Sequence, residues 1–112
     1  MEKVFGKLVR DLIPEIIESR GEVAVTRVLN DQEYQRELYK KLREECEEVI
    51  SSTTTDEVVE ELADVYEVMQ AILTLEGKSI SDVEEVAYQK KKKRGGFQKK
   101  IYLEKTYDKK GE

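Results

Sequence analysis

Residues 44–64 read EECEEVISSTTTDEVVEELAD, two acid-rich segments on either side of a polar turn. Glu45 with Glu48, and Glu61 with Asp64, are two carboxylate pairs, each three residues apart, on either side of the polar turn Ser51-Ser52-Thr53-Thr54-Thr55-Asp56. That spacing puts both members of a pair on one face of a helix. If the flanking segments are antiparallel helices that fold back at the turn, Glu45 faces Asp64, Glu48 faces Glu61, and four acid groups meet at one level. Ionised carboxylates ~5 Å apart repel by roughly 3 kcal/mol per pair at an effective dielectric near 20, so the cluster calls for a cation. The chain has no histidine and one cysteine, which favours a hard, oxygen-liganded ion, Mg2+ or Mn2+, over zinc.

An E-x-x-E pattern is common on solvated helices, so position has to decide. At 100° per residue, Leu38, Leu42 and Val49 fall within about 40° of one another, and Glu45 lies beside them inside the apolar stripe. Glu61 shares a line with Val68 and Ile72, and Asp64 shares one with Val68, Ala71 and Leu75. Carboxylates on a packing face cost several kcal/mol each unless a partner compensates them. The alternative to a metal is that these acids pair with Lys40 or Lys41, or flank the stripe at the surface. Glu47 is assigned to solvent, whereas Glu44 stays within reach of the site as an acid or base. Cys46 reads as a small core residue.

With the flanking segments included, the sequence predicts an all-α fold, an antiparallel bundle of three long helices with a short N-terminal helix. Asp11 is placed to cap the short helix, Pro14 sits in its first turn, and Gly21 stops it. Asn30 with Glu33 forms a capping box for a helix running to about Ile50. Thr55 or Asp56 caps the next, which ends at Gly77, and Ser81 with Glu84 opens a third that ends near Arg94 before Gly95-Gly96. The β-branched residues of 23–29 and the apolar Phe97, Ile101, Tyr102 and Leu103 predict a minor two-stranded β pairing. One domain is expected over 1–104, with a polar tail over 105–112.

Charged residues make up 40% of the 112 positions and the net charge is −5, which argues against nucleic acid as a partner. A domain of this size with broad helix faces is expected to form a homodimer or homotetramer. The lone cysteine and the absence of a secretory signal or an apolar run of roughly 20 residues predict a cytoplasmic protein with no membrane partner. The basic run Lys90 to Arg94 has two readings, one as cations stabilising a helix C-terminus and one as phosphate contacts led by Arg94.

Glu44-Glu45-Cys46-Glu47-Glu48 followed by Glu61-Leu62-Ala63-Asp64 resembles the EExxE and ExxD signature of the MazG-like all-α nucleoside triphosphate pyrophosphohydrolases. The opening Lys7-Leu8-Val9-Arg10-Asp11-Leu12-Ile13-Pro14-Glu15-Ile16-Ile17 and the closing Arg94-Gly95-Gly96-Phe97 resemble a branch labelled phosphoribosyl-ATP pyrophosphohydrolase-like. The resemblance spans nearly all of residues 7–104. It implies Mg2+ held by Glu45, Glu48, Glu61 and Asp64, with cleavage of a nucleoside triphosphate to monophosphate and pyrophosphate. Glu44 or Glu45 would orient the attacking water, and Lys7, Arg10 and Arg94 would hold phosphate. A module that binds a nucleotide or metal without turnover, and a plain structural bundle, are the competing readings.

Overall fold

The computed structural model describes residues 1–111, which form four α-helices and a short 3-10 turn: α1 (Ile13–Ser19), α2 (Asp31–Ser51), α3 (Thr55–Leu75), α4 (Ile80–Arg94) and Lys109–Gly111. The chain is all-α, with the short first helix and the three long ones expected from the pattern. Contacts group it into a first unit, Met1–Ile80, and a second that begins at Ser81.

The first unit is organised by α2 and α3, which pack side by side as a helical hairpin. Each end of the hairpin is fixed by polar contacts written in the sequence. Asn30 Oδ1 accepts from the Glu33 backbone N–H at 2.8 Å, and the Asn30 N–H donates to Glu33 Oε1 at 3.3 Å, which completes the capping box. Arg27 clamps the same carboxylate through both guanidinium nitrogens, at 3.1 and 3.3 Å, and ties the irregular segment before α2 to its first turn. That guanidinium and the Asn30 N–H hold the Glu33 carboxyl below the usual carboxylate range.

At the reversal, Thr54 caps α3 by accepting from the Glu57 N–H at 3.1 Å, and the Thr53 N–H donates to Glu57 Oε2 at 2.9 Å. The cap is therefore Thr54 rather than the expected Thr55 or Asp56. At the far end Gly77 adopts φ 72°, and its N–H and that of Lys78 return to Thr74 and Leu73, closing α3 as a Schellman turn. Gln35 at the start of α2 donates to Glu76 at the end of α3, 3.4 Å away, as an antiparallel hairpin requires.

Three expectations need correction. Asp11 does not cap α1; Leu12 occupies that position with no side-chain bond, and α1 relies on the Pro14 that pre-sets its first turn. Ser81 lies inside α4 rather than ahead of it. No strand forms among the described residues, so the β pairing of 23–29 with 97–103 is absent. Val23, Val25 and Val28 are 84–97% exposed, and β-branched residues favour a strand only when a pleated face is half-buried against something.

In the second unit, Lys91 to Arg94 occupy the last turn of α4, where cations meet the negative helix end, and Gly95 follows at φ 81°. Lys92 Nζ also sits 5.0 Å from the Tyr88 ring centre. The stabilising reading of the basic run thus accounts for part of it.

Leu38 is the one buried residue among the described residues, at 3% exposure. A second apolar stripe lies uncovered on the hairpin: Tyr39 and Ile50 on α2, within about 40° of the exposed Cys46, and Val59, Leu62 and Tyr66 on α3. Cys46 is therefore a correction as well, because it belongs to this outer stripe rather than to the row of Leu38 and Leu42 that meets α3.

Because both arms of the capping box are made, Asn30→Ala is expected to destabilise the protein by about 1 kcal/mol in urea unfolding followed by circular dichroism. An unchanged midpoint would show that α2 does not depend on its cap.

Candidate functional site

The hairpin brings Glu45 of α2 together with Glu61 and Asp64 of α3. One carboxylate oxygen from each lies within 4.8 Å of those of the other two, and all three residues are half-buried. Magnesium with oxygens at 2.0–2.1 Å places ligands about 2.9 Å apart on adjacent corners and about 4.1 Å apart on opposite ones. The 4.8 Å bound on the triad is somewhat wider than these spacings, and its donors are all oxygen, so the residues fit a hard divalent ion in donor type.

Glu48 stands outside the triad and is exposed. The register explains why. The helices end at Ser51 and resume at Thr55, so the hairpin is centred on Thr53. About that centre the mirror position of Glu45 is Glu61, while that of Glu48 is Val58. Pairing Glu45 with Asp64 and Glu48 with Glu61 centres the fold between Thr54 and Thr55, about one and a half residues too late. Glu48 still acts at a distance, since its charge is one of those felt by Glu61.

Two cations neutralise part of the cluster. Arg10 Nη2 meets Asp64 Oδ1 at 2.6 Å, and Lys41 Nζ lies 3.7 Å from Glu45 Oε1 one turn along α2. Glu61 has no basic partner among the described residues. Its carboxyl is pushed up from the ordinary range by partial burial first, then by the negative charges of Asp64, Glu48 and Glu45.

A cleft of about 290 Å3 opens beside the triad. Tyr34, Leu38, Lys41 and Glu45 line it from α2, spaced as one helical row, and Asp64, Val68 and Ala71 line it from α3. Leu8 to Asp11 form its remaining wall. The alignment of Asp64 with Val68 and Ala71 was legible in the sequence. Tyr34 was missed, although its place four residues before Leu38 marks the same face.

Of the remaining candidates, Glu44 is exposed on α2 and Lys7 is exposed with its Nζ 5.8 Å from the Phe5 ring centre. Arg94 is exposed at the end of α4, in the second unit.

No protein-family model matches the chain, and no solved structure does. A relative in Mycolicibacterium smegmatis, described as an uncharacterized protein, is 44% identical over 55 residues, which cover 49% of this chain and 56% of that one. The chain thus spans little more than half of that relative's length. Among the described residues no helix is long and apolar enough to cross a membrane.

A carboxyl whose folded pKa is raised favours folding while protonated, below its unfolded value near 4.5, and loses that contribution as pH rises through the folded pKa. In chelator at pH 7, Glu61→Gln is therefore expected to melt above the parent protein, and the gap should close as the pH is lowered to about 4. Thermal melts across that range decide it; a parent protein that is the more stable at pH 7 would contradict charge repulsion at Glu61.

Proposed function

We propose that this chain is a MazG-like nucleotide pyrophosphohydrolase that uses Mg2+, or Mn2+, to cleave a nucleoside triphosphate or related nucleotide to its monophosphate and pyrophosphate. The observation that carries the reading is the convergence of Glu45, Glu61 and Asp64 from the two signature segments onto one spot beside a cleft walled by the Leu8–Asp11 segment. Composition alone would not bring those particular acids together while leaving Glu44, Glu47 and Glu48 exposed.

Glu45, Glu61 and Asp64 are the proposed ligands, with Glu48 the fourth that the signature implies. A bound divalent ion supplies Lewis-acid charge at the phosphate oxygens and makes water a stronger acid. The chain's own groups do the rest. A carboxylate, Glu45 or Glu44, takes a proton from water as the water oxygen bonds to the α-phosphorus. The bond from that phosphorus to the bridging oxygen breaks, and pyrophosphate leaves with the bonding electrons. Arg10 offers positive charge to the phosphates from the cleft wall, and the Lys7-Leu8-Val9-Arg10 and Arg94-Gly95-Gly96-Phe97 motifs support Lys7 and Arg94 as further contacts.

The active form is a homodimer or homotetramer in which the outer stripe of the hairpin is covered by a second copy. Val59, at 62% exposure, Leu62, at 50%, and Ile50, at 83%, lie in continuous helical rows, the pattern of helices awaiting partners. The substrate is a free nucleotide in the cytoplasm. A binding module without turnover would use the same residues but release no product.

Incubation of the purified protein with a panel of nucleoside triphosphates and Mg2+ is expected to release pyrophosphate from at least one of them. Asp64→Asn should lower kcat/KM by roughly 100-fold or more while the helical spectrum is kept. Pyrophosphate release unchanged in that variant, or orthophosphate as the sole product, would refute the assignment. Leu62→Glu is expected to shift the protein to the monomer mass in light scattering, and an unaltered mass would remove the stripe from the interface.

A further inference from the structure

We propose, resting on the divalent-ion reading of the triad, that Arg10 and Lys41 are counter-ions of the acid cluster that a divalent ion displaces, and that their release arms the cleft for an anion. Both cations line the cleft, and both are engaged with carboxylates of the triad: Arg10 with Asp64 at 2.6 Å, Lys41 with Glu45 at 3.7 Å. The cleft therefore presents no uncommitted positive charge from these two groups while the acids lack another partner.

The geometry sets the two occupants in competition. A guanidinium nitrogen 2.6 Å from Asp64 Oδ1 takes one of the lone-pair directions of that carboxylate and puts a like charge close to any cation bound there, and like charges at such range repel strongly. The Arg10 pair is also easily given up. Arg10 has 57% of its side chain exposed, on irregular backbone ahead of α1, and exposed ion pairs hold little free energy. An ion that meets three carboxylates at once outcompetes a guanidinium that meets one. Once displaced, Arg10 keeps its five donors beside the cleft, where a bidentate fork suits phosphate oxygens. Lys41 adds a compact charge from α2. Metal and anion would then bind in order, the first making room for the second.

The test separates this role from the metal reading on which it rests. In chelator, inorganic pyrophosphate is titrated by calorimetry into the parent protein and into the Glu45→Gln, Asp64→Asn double variant, whose acids are neutralised without any metal. The parent should give no measurable heat of binding, the double variant should bind, and addition of Arg10→Gln to it should abolish binding. Pyrophosphate binding by the parent in chelator, no binding by the double variant, or binding that survives Arg10→Gln would each overturn the proposal.

A second arm titrates Mn2+. Arg10→Gln and Lys41→Gln should each tighten Mn2+ by roughly three- to tenfold, as loss of one nearby positive charge predicts after screening. Lys40→Gln, the exposed neighbour that makes no ion pair with the triad, should change it less than about twofold. Equal effects from Lys40 and Arg10 would overturn the competition. If neither the parent nor Arg10→Gln binds Mn2+, the divalent-ion reading falls, and the pyrophosphate arm still decides whether the cations are held by the acids.

Discussion

Like charges that a fold forces together have to be answered by something, and the acid triad is where this chain faces that constraint. Glu45, Glu61 and Asp64 converge because a 21-residue helix turns back on another of equal length, so Glu45 and Glu61 lie at equal distances from the centre and Asp64 follows about one turn further along α3. Two of the three have found cations within the chain, and the third answers by holding its proton more tightly than an ordinary glutamate. A hairpin stabilised for its own sake would place leucine or alanine at these positions. Acids at these positions cost stability, and under the proposed function the ability to hold a cation is what offsets that cost.

The remainder of the first unit serves to hold that register. Capping at Asn30, the Thr53–Glu57 contacts at the reversal and the Schellman turn at Gly77 fix both ends of the hairpin. A slip of one or two residues along either helix would carry the triad apart, as the exposed Glu48 illustrates. Little of this precision comes from a core, since Leu38 is the one buried residue among those described. Polar end contacts set the register, and the apolar stripe of Val59, Leu62 and Tyr66 leaves much of the burial to a second copy under the proposed assembly.

Much of the helix pattern was readable because it rests on local rules. Asn30 with Glu33, Gly77 and the 3.6-residue rows through Leu38 and Val68 each act within a few positions, and each is realised. The misreadings share a physical cause. Whether Val23 to Val28 form a strand depends on a partner surface that local propensity does not supply, and whether Cys46 is covered depends on what lies against the outer stripe. The acid cluster was legible to within the turn: three of the four expected acids meet, and the fourth is displaced because the true centre is Thr53. The engagement of Asp64 by Arg10, 54 positions earlier, follows from no periodicity and required the folded chain.

Adding Mn2+ in small steps to protein with 13C-labelled carboxyl groups, and following paramagnetic broadening, tests whether the triad holds the proposed divalent ion. A metal seated in the triad broadens the signals of Glu45, Glu61 and Asp64 first and together, well before those of Glu44, Glu47 and Glu57. Broadening spread evenly over the acidic surface, or centred on any other group of carboxylates, would contradict it.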